Sequence, residues 1–183
     1  MCRAVRAAEW FVAAVLCMAM PAAADGLGFK GLELGSPLAL VGGDPRFECR
    51  PLNTPIADRV CSLRAGETET IAGVPLDSLF LFYERRRLTG ITLSLPEKHF
   101  QTVVDALRGK YGDAALKTEP VRNLNGVAFE NRLYHWRQGE HSLRAERYAG
   151  RLDRSSVRYL DDGAEARLRE HRARAARDPR LDL

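Results

Sequence analysis

The spacing of apolar and polar positions changes period between Leu88 and Asp113, and the rest of the chain is organised around that change. Leu93 and Leu95 alternate with Thr92 and Ser94, the period of a strand. Phe100, Val103, Val104, Leu107 and Tyr111 then recur at helical spacing and line one face. Ser94 and Glu97 have the spacing of a capping box, Pro96 suits a first turn, and Gly112 sits where a left-handed cap is wanted. The pattern predicts a strand running into an amphipathic helix.

The same reading extends along the chain. Phe29–Leu34 reads as a short strand, Ser36-Pro37 as a helix start, and Leu38–Val41 as one helical turn. Arg46–Arg50 and Arg59–Arg64 read as strands flanking a Pro-rich loop at Pro51–Ile56. Glu67–Ala72 alternates. Ser78–Tyr83 is apolar throughout, as a covered central strand would be, and pairs with Leu88–Leu95 in a predicted hairpin. Asp113–Asn125 is polar and reads as loop. Val127–Arg137, His141–Tyr148 and Ser155–Leu160 form a predicted three-stranded meander. The apolar parity switches within Val127–Arg137, which calls for either a bulge or partial cover on both faces. From Asp162 onward the chain is Ala-, Arg- and Glu-rich. Up to Asp178 it has helical i,i+4 charge pairs and one large apolar residue, Leu168, so a polar, solvated helix is expected until Asp178-Pro179 stops it.

These elements imply an α+β fold, an antiparallel sheet with helices packed on one face and a polar C-terminal helix. A weak internal repeat joins Gly31–Leu34 with Gly90–Leu93, each followed by Ser, Pro, a helix and Gly-Asp. It suggests two helix-then-strands units, 31–89 and 90–161, within one domain over 25–161, followed by an Arg-rich segment over 162–183.

The first 24 residues change the picture of where the protein works. Arg3 and Arg6, the apolar run Trp10–Met20 and Ala22-Ala23-Ala24 have the layout of a cleavable signal peptide. The apolar run is too short for a spanning helix, and Leu16 before Cys17 does not suit lipid attachment. A periplasmic protein starting near Asp25 is expected, with membrane contact at most peripheral. In that compartment Cys49 and Cys61 are expected to form a disulfide, which in the chain-entropy account would add about 3 kcal/mol. A metal or redox pair is the alternative, but the C-x-x-C spacing is lacking.

Net charge is +4 with both signs interspersed, so charge says little about partners. The acids Glu165, Glu170, Asp178 and Asp182 interleave with the C-terminal arginines, and export also separates the chain from nucleic acid. Gly26, Gly28 and Gly31 match G-x-G-x-x-G but lack the preceding strand and following helix of a dinucleotide site. His135, Glu140 and His141 cluster near one hairpin and are the candidate metal or hydrolase residues; a half-buried strand histidine is the plainer reading. No P-loop or nucleophile elbow is present, and no cofactor is implied. Arg85, Arg86 and Arg87 mark a hairpin tip, either an anion patch or a solvated turn. Tyr134, Trp136 and Tyr148 are candidates for an aromatic binding surface or for core filling.

Lys30-Gly31-Leu32-Glu33-Leu34-Gly35-Ser36 and Arg87-Leu88 resemble a pattern found in small bacterial envelope proteins. These include the BamE-like assembly lipoproteins and the tandem helix-plus-sheet β-lactamase inhibitor proteins. The resemblance implies binding rather than catalysis. The function expected is therefore a non-enzymatic protein-binding module of the envelope, with another envelope protein as its partner and its oligomeric state left open. A small envelope hydrolase or metal enzyme, or a binder of a small anionic or lipidic ligand, are the alternatives.

Overall fold

The structure is a computed structural model that describes residues 26–177; the leader, with Cys2 and Cys17, and the Asp178-Pro179 stop lie outside them. The chain opens with a small hairpin, β1 (Gly28–Phe29) and β2 (Leu32–Glu33), where one strand was expected. The glycines of the G-x-G-x-x-G match serve this hairpin. A Cβ on Gly28 would lie 2.6 Å from the Leu32 carbonyl, so only glycine lets the strands close. After α1 (Ala39–Gly42) come β3 (Phe47–Thr54) and β4 (Ala57–Leu63). The expected loop at Pro51 is strand, because β3 is an edge, where a missing N–H is tolerated. A second small hairpin, β5 (Thr70–Ile71) and β6 (Val74–Pro75), precedes β7 (Ser78–Glu84) and β8 (Arg87–Pro96), the central hairpin expected from the sequence.

A 3-10 turn (Glu97–His99) leads into α2 (Phe100–Tyr111). The capping box does not form: Ser94 stays in β8, and the Glu97 carboxylate accepts from Arg147 Nε at 2.5 Å. At the other end Gly112 has positive φ (+80°) but extended ψ (−165°), so the expected left-handed cap does not form; its N–H bonds the Arg108 carbonyl, and its carbonyl accepts from Trp136 Nε1 at 2.8 Å. Then follow β9 (Ala115–Arg122), β10 (Ala128–Gln138), β11 (His141–Glu146), β12 (Arg154–Asp161) and α3 (Asp162–Arg177). The Asp113–Asn125 stretch is thus mostly strand, not loop.

Eight strands form one antiparallel sheet in the order β3-β4-β7-β8-β12-β11-β10-β9. Two four-stranded meanders, each preceded by a helix, meet along β8 and β12. The expected unit boundary at 89/90 falls inside β8, since residues 90–94 pair with β7 and the helix begins only after Pro96.

One face of the sheet carries Leu79, Leu81, Tyr83, Ile91, Leu93, Leu95, Val157, Tyr159, Leu143, Ala145 and Trp136, all buried. α2 covers that face with Phe100, Val103, Val104 and Leu107. Burial of each such side chain stabilises the fold by about 1.5–3 kcal/mol. Strand β10 runs without a bulge, so its parity switch reflects cover on both sides. Tyr134 and Trp136 meet the α2 face, while Leu133 and Phe129 lie on the other.

The first turns of α3 dock on the opposite face, which departs from the expectation of helices on one face only. Glu165 binds Ser142 (3.3 Å) and Arg144 (3.2 Å), both of opposite parity to Leu143. Ala164 is buried, and Arg167 reaches Glu84 (2.6 Å) and the Pro55 carbonyl (2.9 Å). Only the later turns are solvated, so α3 is polar but not free-standing. No described helix is long and apolar enough to cross a membrane.

Candidate functional site

The expected metal triad does not assemble. His135 pairs with Arg144 and lies on the α3 face, whereas His141 shares the parity of Leu143 on the other. Glu140 lies in the turn between them, and its carbonyl accepts from the Asp162 N–H. Among the described residues no three His, Cys, Asp or Glu side chains gather to hold a metal. Burial, with Arg144 adding, holds the His135 imidazole below its ordinary pKa, and its Nε2 is buried without a hydrogen-bond partner. A half-buried strand histidine fits these facts.

The aromatic candidates also separate. Trp136 is a core residue, 4% exposed and tied to Gly112, because β10 is covered on that side. Tyr134 stacks on it (ring centroids 6.2 Å apart) and leans on Phe100. Tyr148, half-buried like Tyr134, lies edge-on to Phe129 at 6.2 Å and beneath the Arg147 guanidinium.

Phe129 and Tyr148 pack together on an arm made by β9 and β10, with Phe129 close to the loop that joins the two strands. Every residue of β9 is exposed except Glu119 and Val121, which are half-buried. The arm's charges pair with each other, Lys117 with Glu119 (2.9 Å) and Arg132 with Glu130 (2.8 Å). Pro120 sits in this outer strand and removes a donor that an added strand would need. The loop at the tip is tightly built. Asn123 Oδ1 accepts from the N–H groups of Asn125 (3.0 Å) and Val127 (2.9 Å), and Arg122 donates to the Gly126 carbonyl (2.7 Å). This ordered loop presents Leu124, fully exposed, and Val127, half exposed.

The far end of the sheet is built differently. Cys49 and Cys61 are directly opposed on β3 and β4, Cα atoms 4.0 Å apart, and are joined by a disulfide. Beside it an open groove of about 580 Å³ is lined by Leu38 and Gly42 of α1, by Glu48, Cys49 and Arg50, by Arg59 and Arg64, and by Arg86. Of the triplet Arg85-Arg86-Arg87, Arg86 lines the groove, and Arg87 donates to the Gly35 carbonyl at 3.2 Å.

Arg85 and Arg86 form the two-residue β7–β8 turn at φ +49° and +64°. Such turns favour Asn-Gly, and left-handed backbone costs other residues about 1–2 kcal/mol each. The turn is held from outside. Asp58 accepts from the Arg85 N–H (2.8 Å), Leu38 N–H donates to the Arg86 carbonyl (2.9 Å), and Pro37 bridges to Arg87. Sequence reasoning missed Arg50, Arg59 and Arg64; the available signal was that each lies within three residues of a half-cystine. Comparison of the chain with family models, with curated proteins and with solved structures gives no match.

Proposed function

We propose that this chain is an exported, non-enzymatic protein-binding module of the cell envelope that docks through its β9–β10 arm. The observation that carries this reading is the ordered apolar tip: hydrogen bonds fix the loop while Leu124 points wholly into water. A loop already held in one shape loses little entropy on binding. The partner is another envelope protein that presents an apolar cleft. Pro120 disfavours docking by strand addition, and with Lys117 and Arg132 paired to Glu119 and Glu130 the arm keeps only the charge of Arg122, too little to draw it to anionic lipid. The leader-like first 24 residues support export.

The test places a photo-crosslinking amino acid at Leu124 in cells. One discrete adduct is expected, absent with the probe at Glu170 and absent when Val127 is also made Asp. No adduct, or the same adducts from both probe positions, removes the reading. N-terminal sequencing of the periplasmic fraction is expected to start near Asp25.

A further inference from the structure

We propose a second, separate binding site: the groove beside the disulfide takes a ligand bearing two or more phosphoryl groups, with Arg50, Arg59, Arg64 and Arg86 as its anion contacts. Four arginines line this groove against one acidic residue, Glu48. That carboxylate approaches only Arg64, at 3.9 Å, with both side chains more than half exposed, so solvent screens the pair and Arg64 keeps most of its positive field. Arg64 is steadied by its Nε bond to the Pro45 carbonyl at 3.0 Å. Arg50, Arg59 and Arg86 make no ion pair or side-chain hydrogen bond to any described residue. Their donors are therefore free for a ligand, unlike those of Arg46, Arg132, Arg144, Arg147 and Arg167, which are committed to carboxylates.

Placing like charges together opposes folding, and Arg86 is placed there by a backbone turn that arginine fits poorly. Its position is nevertheless well determined, by the Leu38 N–H on its carbonyl and by the Pro37–Arg87 bridge. The disulfide fixes β3 against β4 one residue from Arg50 and two from Arg59. Positive charge is thus concentrated on backbone held rigid from two sides, which is preorganisation for an anion.

The four arginines arise from β3, from β4 and its end, and from the β7–β8 turn; by register Arg59 starts on the disulfide's face and Arg50 on the opposite face of the edge strand β3, so they reach the groove from different sides. Tetrahedral phosphoryl oxygens accept from several directions at once, whereas a planar carboxylate offers two oxygens in one plane. About 580 Å³ is more than one phosphate fills and lies within the range of small-ligand sites. The phosphoryl groups can belong to a lipid headgroup or to a soluble polyphosphate, and the chemistry of recognition is the same.

The experiment titrates the folded, disulfide-bonded protein with inorganic triphosphate by calorimetry. The double variant Arg59→Ala/Arg86→Ala is expected to lose at least tenfold in affinity, while Arg86→Lys retains part of it. Arg169→Ala/Arg172→Ala, of equal charge change, is expected to leave binding unaltered. Raising the salt from low to physiological levels is expected to weaken binding further. Sedimentation with phosphatidic acid vesicles, lost in the same double variant and competed by triphosphate, assigns the ligand to lipid; triphosphate binding without vesicle binding assigns it to a soluble phosphate. Undetectable triphosphate binding, equal binding by the two double variants, or tighter binding of a polyglutamate peptide than of triphosphate each overturns the proposal. Crosslinking at Leu124 is independent of all these outcomes.

Discussion

The two ends of the sheet meet the same difficulty, an outer strand with unpaired backbone groups, and meet it by different means. At the β3–β4 end a covalent bond joins adjacent strands, a short helix and a tight turn close over them, and unpaired arginines line the resulting groove. At the β9–β10 end no disulfide is present, Lys117 and Arg132 are paired with acids of the arm itself, and the loop is held by its own hydrogen bonds. Each outer strand contains a proline, Pro51 or Pro120. Prolines and charge blunt a sheet edge against further strands. What remains for recognition is side chains: charged ones at one end, apolar ones at the other. Positive charges crowded together need rigid support, whereas a single apolar tip needs only a fixed loop.

The largest test concerns what the ends share. Phe100→Ala empties the α2–sheet interface and is expected to cost about 3–5 kcal/mol in urea unfolding, with both ends lost in one transition. Two separate transitions would mean that the ends are independent units. Replacing Cys49 and Cys61 by Ser is expected to cost about 3 kcal/mol. Hydrogen exchange should then quicken in β3 and β4 and stay unchanged in β9 and β10; equal loosening would break the contrast.

Arg85→Asn with Arg86→Gly supplies the residues the turn favours and is expected to stabilise by about 1–2 kcal/mol, read from the thermal midpoint, while weakening triphosphate binding. A lower midpoint would show that the arginines are unstrained. A smaller effect comes from His135 at the root of the arm. Because burial lowers its folded pKa, its contribution is complete above the ordinary histidine value of about 6.5. It declines as pH falls from there toward the lowered folded value, since the unfolded chain takes up the proton first. His135→Gln should flatten that decline, and identical pH profiles for the two proteins would count against the buried placement. Smallest of all, Val127→Asp should leave stability within about 0.5 kcal/mol while abolishing crosslinking from the probe at position 124.

Much of the centre was legible because its signals are local. The Ser78–Leu95 hairpin and the Phe100–Tyr111 face both follow from period, and the opposed cysteines fit the expected pairing. Strand β9 was not legible: Ala115–Arg122 buries no residue fully, so its sequence shows no apolar alternation, and only pairing with β10 makes it a strand. The capping box failed because Glu97 had a better partner in Arg147, fifty residues away. The groove arginines were visible one by one but not as a set, since β3, β4 and the β7–β8 turn must come together before they share a site.

The sequence alone settled the antiparallel hairpins, the amphipathic helix and the candidate disulfide, because each depends on the order of residues within a short stretch. Tertiary structure decided that Trp136 is core, that His135 and His141 face apart, that α3 docks opposite α2, and that Arg86 stands with Arg50 and Arg59. The physical reason is that periodicity fixes which side of an element is apolar, whereas strand order and register fix what that side meets.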